Sequence, residues 1–148
     1  MTGNGKAYSF MDYYVIFFIF EDNQIMQPNF FIITNNPLVH NELRDSYPVE
    51  FKEGSYIHVL VSARDYIYEG HTLLTHPLAG SVKPNETPYK TVAITKDKGK
   101  LNLESVVIIS GSIQTCEKFA ENPREYPKEV LDDFQQIDYS LIKNAMDR

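Results

Sequence analysis

The sequence predicts an α/β fold, a small layered sheet of about three to five strands, partly parallel, packed with about four helices. Three observations carry that expectation. Short runs of β-branched and aromatic residues alternate with longer stretches of helical periodicity. The helical stretches start at capping residues and stop at Gly or Pro. No repeat, low-complexity tract or linker-like composition interrupts the series, so residues 26–148 read as a single domain.

NFFII (Asn29–Ile33) opens the domain as a short apolar strand. TNNP follows, with Asn36 as an N-cap and Pro37 in the first helical turn, where a missing N–H costs nothing. The helix is expected from Pro37 to about Ser46, burying Leu38 and Leu43 and stopping before Pro48. VEFK (Val49–Lys52) reads as a second strand ended by Gly54. Ser55 caps a helix whose apolar positions Tyr56, Leu60, Ala63 and Ile67 recur at helical spacing, although its IHVLV core also suits a strand. Gly70 closes it. TVAIT (Thr91–Thr95) is a third strand and KDKGK an exposed turn. Leu103–Phe119, capped by Asn102, forms a helix with Val106, Ile109, Ile113, Cys116 and Ala120 on one face, closed by Asn122 and Pro123. A last helix, about Pro127 to Ala145, aligns Val130, Phe134, Ile137 and Leu141.

Composition narrows the function classes. Fourteen Lys+Arg against twenty Asp+Glu give a net charge of −6. That balance lacks the basic surface which nucleic-acid binding and attraction to anionic lipid require, so neither nucleic acid nor membrane is expected as a partner. Cys116 is the single cysteine, which excludes an intrachain disulfide and a multi-Cys metal site and fits a reducing cytoplasm. YYVIFFIF (Tyr13–Phe20) is far shorter than the roughly 20 apolar residues of a membrane span. A signal peptide is not expected either: Lys6 is its only basic leader and no small-residue cleavage site follows. Residues 1–25 are therefore either a strand-bearing extension or a mis-assigned start before Met26.

The stretch GHTLLTHPLAGSVKPNETPYK (Gly70–Lys90) concentrates side chains able to act chemically. His71 and His76 are the candidate proton carriers, since imidazole titrates near neutral pH. Ser81, Lys83, Asn85 and Thr87 form a candidate set for a carboxylate or phosphate, with Lys83 as the point charge. Asn35 and Asn36 are a second candidate, an anion seat at the helix N-terminus beyond a strand end. Each has a local alternative. Asn36 caps, Asn35 turns, His76 bonds a buried carbonyl, and Pro77, Pro84 and Pro88 stiffen a connection built of proline and Asx turns. Glu69, His71 and His76 lack metalloprotease spacing and no metal is expected. Cys116 on an apolar helix face reads as a small hydrophobe, and Ser81 lacks a nucleophile-elbow setting. No Gly-rich phosphate loop is present, so no cofactor is expected. Arg64 and Asp65 are adjacent on a helix and are expected to point apart rather than pair.

TNNPLV (Thr34–Val39), RDYIYEGHTLLTHPLAGSVKPNETPYK (Arg64–Lys90) and IDYSLI (Ile137–Ile142) together resemble the GrdX family over about Asn29 to Ile142. These are small proteins of the glycine/sarcosine/betaine reductase operons of amino-acid-fermenting anaerobes. The resemblance implies a cytoplasmic protein associated with components of that reductase system. It supplies no catalytic role. Three functions follow for testing: an accessory protein whose 70–90 loop contacts a partner or small anionic ligand, a small enzyme or binding domain for a carboxylate or phosphate compound, and a folding factor that meets its partner through apolar surface.

Overall fold

The computed structural model describes residues 28–80, 83–84, 86–119 and 124–147. The expectations for residues 1–25 and for a helix end at Asn122–Pro123 lie outside them. Among the described residues seven elements follow one another: β1 (Phe30–Thr34), α1 (Pro37–Leu43), β2 (Val49–Phe51), α2 (Tyr56–Tyr68), β3 (Thr91–Thr95), α3 (Leu103–Phe119) and α4 (Lys128–Met146).

The sheet has three strands in the order β2-β1-β3. β1 pairs parallel to β2, with Ile32 opposite Val49, and antiparallel to β3, with Thr34 opposite Thr91. Period-two alternation sorts the central strand between two cores. Ile33, Val92 and Ile94 pack with α2 and α3, whose Leu60, Ala63, Ile67, Ile109 and Ile113 complete one cluster. Phe30, Ile32 and Ala93 pack with Val39 and Leu43 of α1 and Ile142 and Met146 of α4. The molecule is thus a three-layer α/β/α arrangement, partly parallel as expected.

The caps account for the helix starts. Asn36 Oδ1 accepts the Leu38 N–H at 2.9 Å, and Asn102 Oδ1 accepts that of Ser105 at 2.7 Å. At α2 the partner of Ser55 is His58, whose Nδ1 accepts the Ser55 N–H at 3.0 Å. Gly70 follows α2 at φ 109°, and a Cβ there would sit 2.5 Å from the Gly99 carbonyl oxygen, so a side chain is excluded both by conformation and by space.

Three expectations are corrected. α1 ends at Leu43 rather than about Ser46, because the N–H groups of Ser46 and Tyr47 both return to the Leu43 carbonyl and close a turn. The buried face of α4 is Asp138, Ile142 and Met146, while Ile137 is exposed; the helix is rotated from the stripe that apolarity alone marks. Arg64 and Asp65 do pair, Nη2 to Oδ1 at 3.2 Å, since the long arginine reaches back to its neighbour on the surface. Among the described residues no helix is long and apolar enough to cross a membrane.

Candidate functional site

The 70–90 stretch begins as sheet rather than as loop. Leu73 forms a bridge with Ile94, the Leu74 N–H reaches the Ala93 carbonyl, and Thr75 Oγ1 accepts the Ala93 N–H. These contacts cover the outer edge of β3, which would otherwise expose unpaired backbone groups. His71 serves the same docking. Its Nδ1 lies 2.6 Å from the Thr95 carbonyl, and its buried ring meets Tyr66 and Phe31 edge-on at 5.3 and 5.8 Å. His76 is exposed, and its Nδ1 accepts the Leu78 N–H at 3.1 Å. The two histidines therefore do not share a site. Glu69, meanwhile, pairs with Lys98 on the surface, and among the described residues no group of three or more His, Cys, Asp or Glu is placed to hold a metal ion.

Lys83 is exposed, and Ser81 and Asn85 lie outside the described residues. Thr87 Oγ1 accepts the Tyr89 N–H in a local turn. Asn35 and Asn36 are buried and committed to the protein. Asn35 Oδ1 accepts the Lys90 N–H at 2.8 Å, and its Nδ2 donates to the carbonyls of Gly54 and Pro88. It thereby holds the end of the 70–90 stretch against the start of α2. Asn36 Nδ2 donates to the Gln135 carbonyl and to Asp138 Oδ2, both at 2.9 Å, so this residue caps α1 and docks α4 at once.

Where β1 ends and β3 begins, these contacts converge on a buried polar cluster. Thr34 and Thr91 face each other across the ladder with their hydroxyls 2.7 Å apart. Thr91 Oγ1 donates to Asp138 Oδ2 at 2.6 Å, and the Asn36 N–H donates to Thr34 Oγ1. Because the single Thr91 proton goes to Asp138, the Thr34 hydroxyl donates to Thr91. Hydroxyl protons therefore run in file toward the carboxylate. Burial is the main influence on Asp138 and raises its pKa above the usual 3.8, against the opposing pull of Thr91, Lys90 and Asn36.

Lys90 completes the site. It is 5% exposed, and its Nζ stands 5.7 Å from the centroid of the Tyr56 ring. Among the described residues its amine makes no hydrogen bond and no ion pair. Desolvation lowers its pKa below 10.5, with Asp138 and Cys116 opposing. Cys116 is buried in turn, and its thiol is pushed up to about 11, so it stays protonated near neutral pH. The Tyr56 hydroxyl donates to the Pro77 carbonyl at 3.0 Å and lies above its ordinary pKa, mainly through burial.

Lys90, Asp138, Tyr56, Thr87 and Tyr89 line a cleft between the 70–90 stretch and α4. Counting the part open to solvent, its empty volume is about 260 Å³, but the space a water's centre can occupy is about 10 Å³, room for about one molecule. A buried lysine and a buried aspartate, not bonded to each other, thus line one small space at the C-terminal end of the parallel strand pair. That is where α/β sheets place ligands. Of the residues the sequence singles out as site candidates, Thr87 lines this cleft, and Asn35 and Asn36 bond two of its lining residues, Lys90 and Asp138; Lys90, Asp138, Thr91 and Tyr56 are not among the candidates. The signal existed. Lys90, immediately before β3, continues the alternation of Val92 and Ile94, which marks a lysine on the side of an apolar layer.

A family model described as GrdX-like protein matches residues 31–147 of the chain. No curated protein and no solved structure matches it.

Proposed function

The chain belongs to the GrdX-like protein family, and from that premise we propose that it is an accessory protein of glycine/sarcosine/betaine reductase systems, working in the cytoplasm by binding a small carboxylate compound in the cleft at Lys90. One observation carries the reading: Lys90, a buried residue that lines the cleft, has an amine with no acceptor among the described residues. Holding a charged ammonium away from water without a partner is costly. An incoming carboxylate supplies the missing partner, and the restored charge pair rewards binding. The small cleft favours a ligand of few heavy atoms.

The site thereby shifts from the exposed loop side chains to the residues beneath them. Lys83, the point charge expected from sequence, is left in water, where a phosphate or carboxylate contact is weak. The test is a thermal-shift panel of glycine, sarcosine, betaine, acetate, acetyl phosphate and inorganic phosphate on the wild type, Lys90→Met and Lys83→Ala. A ligand at 100 times its Kd adds about 2.7 kcal/mol. For a chain near this length that amounts to a rise of roughly 5–10 °C in Tm. A shift kept in Lys83→Ala and lost in Lys90→Met is the expected result. A shift lost only in Lys83→Ala, or a flat panel, overturns the assignment.

A further inference from the structure

The pair formed by Lys90 and Asp138 can do more than bind. We propose that Lys90 captures carbonyl compounds: its Nζ condenses with the carbonyl carbon of a small oxo acid to form an imine, and Asp138 supplies the proton that releases water. The inference rests on the reading of the cleft as a ligand site and names the class of ligand it takes.

The geometry meets three requirements of such chemistry. The nucleophile must be a neutral amine, and Lys90 is buried with its Nζ over the Tyr56 ring, without a hydrogen-bonding or ionic partner among the described residues to hold its proton. A proton donor must face the same space, and Asp138 lines the cleft with Lys90. The donor must also be fixed. Asp138 is held by Asn36 Nδ2 and Thr91 Oγ1 from two different elements, both anchored in the core. Burial favours the amine and the carboxylic acid in their uncharged forms, the forms the reaction needs at its start.

The step balances without an oxidant or reductant. The amine lone pair forms the C–N bond while the carbonyl π pair moves to oxygen, and a proton passes from nitrogen to that oxygen to give the carbinolamine. Asp138 then protonates the hydroxyl, the C–O bond breaks with its electron pair, and water leaves. An iminium on Lys90 and a carboxylate on Asp138 remain. The step leaves an ion pair inside a desolvated site, where its attraction is strong. The acid's own carboxylate, one carbon from the iminium carbon, lies against the same positive charge. The space open to water in the cleft is about that of one molecule, so an oxo acid enters only as the cleft widens, and a small substituent on the carbonyl carbon keeps that widening smallest, glyoxylate before pyruvate.

Reductive trapping tests this directly. The full chain is incubated near neutral pH with glyoxylate and cyanoborohydride, then digested and mapped by mass spectrometry for carboxymethyl-lysine. Exposed lysines are nearly all ammonium at that pH, and a lowered pKa raises the neutral fraction about tenfold per unit. The expected result is an adduct on Lys90 at least about tenfold above that on any other lysine, and none at that position in Lys90→Arg. Asp138→Asn, which keeps an acceptor for Thr91, slows the labelling. An adduct spread over exposed lysines, with the Lys90 peptide unmodified, overturns the inference. Acetate, which has no reactive carbonyl, separates the two readings. If acetate raises Tm in the wild type but not in Lys90→Met while glyoxylate leaves Lys90 unlabelled, imine formation alone is refuted; if acetate also fails, the ligand site falls with it.

Discussion

Lys90, just before β3, and Asp138 of α4 line the same cleft, yet no ion pair joins them. Each is almost fully buried, at 5% and 4% exposure. The carboxylate is occupied by Asn36 and Thr91, two neutral donors, and the amine is left to face an aromatic ring. A pair built for stability would close this gap with a direct charged hydrogen bond. Keeping the two groups apart leaves both able to respond to a third.

The first consequence concerns stability. Lys90→Met keeps the length and apolar stem of the side chain and removes a buried amine that lacks a partner. The variant is expected to gain about 1–3 kcal/mol in the absence of ligand, as replacements of buried ionic groups by packed apolar ones often do. Urea denaturation checks it, read as a higher midpoint at unchanged slope. A loss of stability instead shows that Nζ holds structure, and weakens the case for a ligand.

The pH dependence follows from the same two groups with opposite signs. Asp138 has its folded pKa raised above 3.8, so its contribution is fully present below 3.8 and is lost as pH rises through the folded value. Lys90 has its folded pKa depressed, so its contribution is present above 10.5 and is lost as pH falls through the folded value. The stability of wild type relative to Asp138→Asn is expected to be greatest in acid and to fall as pH rises from 3.8 through the raised value. Lys90→Met removes the corresponding rise on the alkaline side. A wild-type advantage over Asp138→Asn that grows with pH contradicts the assignment.

Thr91 joins β3 to α4 through one proton. Thr91→Val keeps the β-branched shape and leaves Thr34 Oγ1 and Asp138 Oδ2 each short of a partner. The cost is expected at about 1–3 kcal/mol, that of losing two buried hydrogen bonds while Asn36 still donates to both oxygens. Thr115→Val provides the control, because its hydroxyl returns only to the Gly111 carbonyl on an exposed helix face. Equal effects of the two changes by chemical denaturation refute the network.

Much of the fold was legible because local chemistry and pattern agree. Asn36, Pro37, Ser55, Gly70 and Asn102 each mark a helix boundary that the structure keeps, and TVAIT forms β3 over the residues read as a strand. The site was less legible, for a physical reason. Residue types able to do chemistry cluster in the 70–90 stretch, but their burial depends on partners far along the chain. Asn35 answers Lys90 across 55 positions and Asn36 answers Asp138 across 102. Asp138 occupies the buried stripe of α4, four residues from Phe134 and from Ile142, where apolarity alone chooses Ile137 in its place. A polar residue at an apolar position was the available mark. Lys90 in the Lys90-Val92-Ile94 alternation was another.

His71 and His76, alike in sequence, are expected to behave differently on substitution. His71 is 6% exposed, bonded to the Thr95 carbonyl and set against Phe31 and Tyr66. His71→Ala removes a buried ring and leaves that carbonyl without its side-chain partner, a loss expected at about 2–4 kcal/mol. His76 sits in solvent and accepts one local N–H, so His76→Ala is expected to stay within about 0.5 kcal/mol of wild type. Neither ring lines the cleft at Lys90, so labelling of Lys90 by glyoxylate is expected to survive His76→Ala unchanged. Chemical denaturation of both variants, with peptide mapping of His76→Ala, decides the matter. A His76→Ala protein that folds as well as wild type but no longer labels at Lys90 puts the proton carrier back on the loop and takes that role from Asp138.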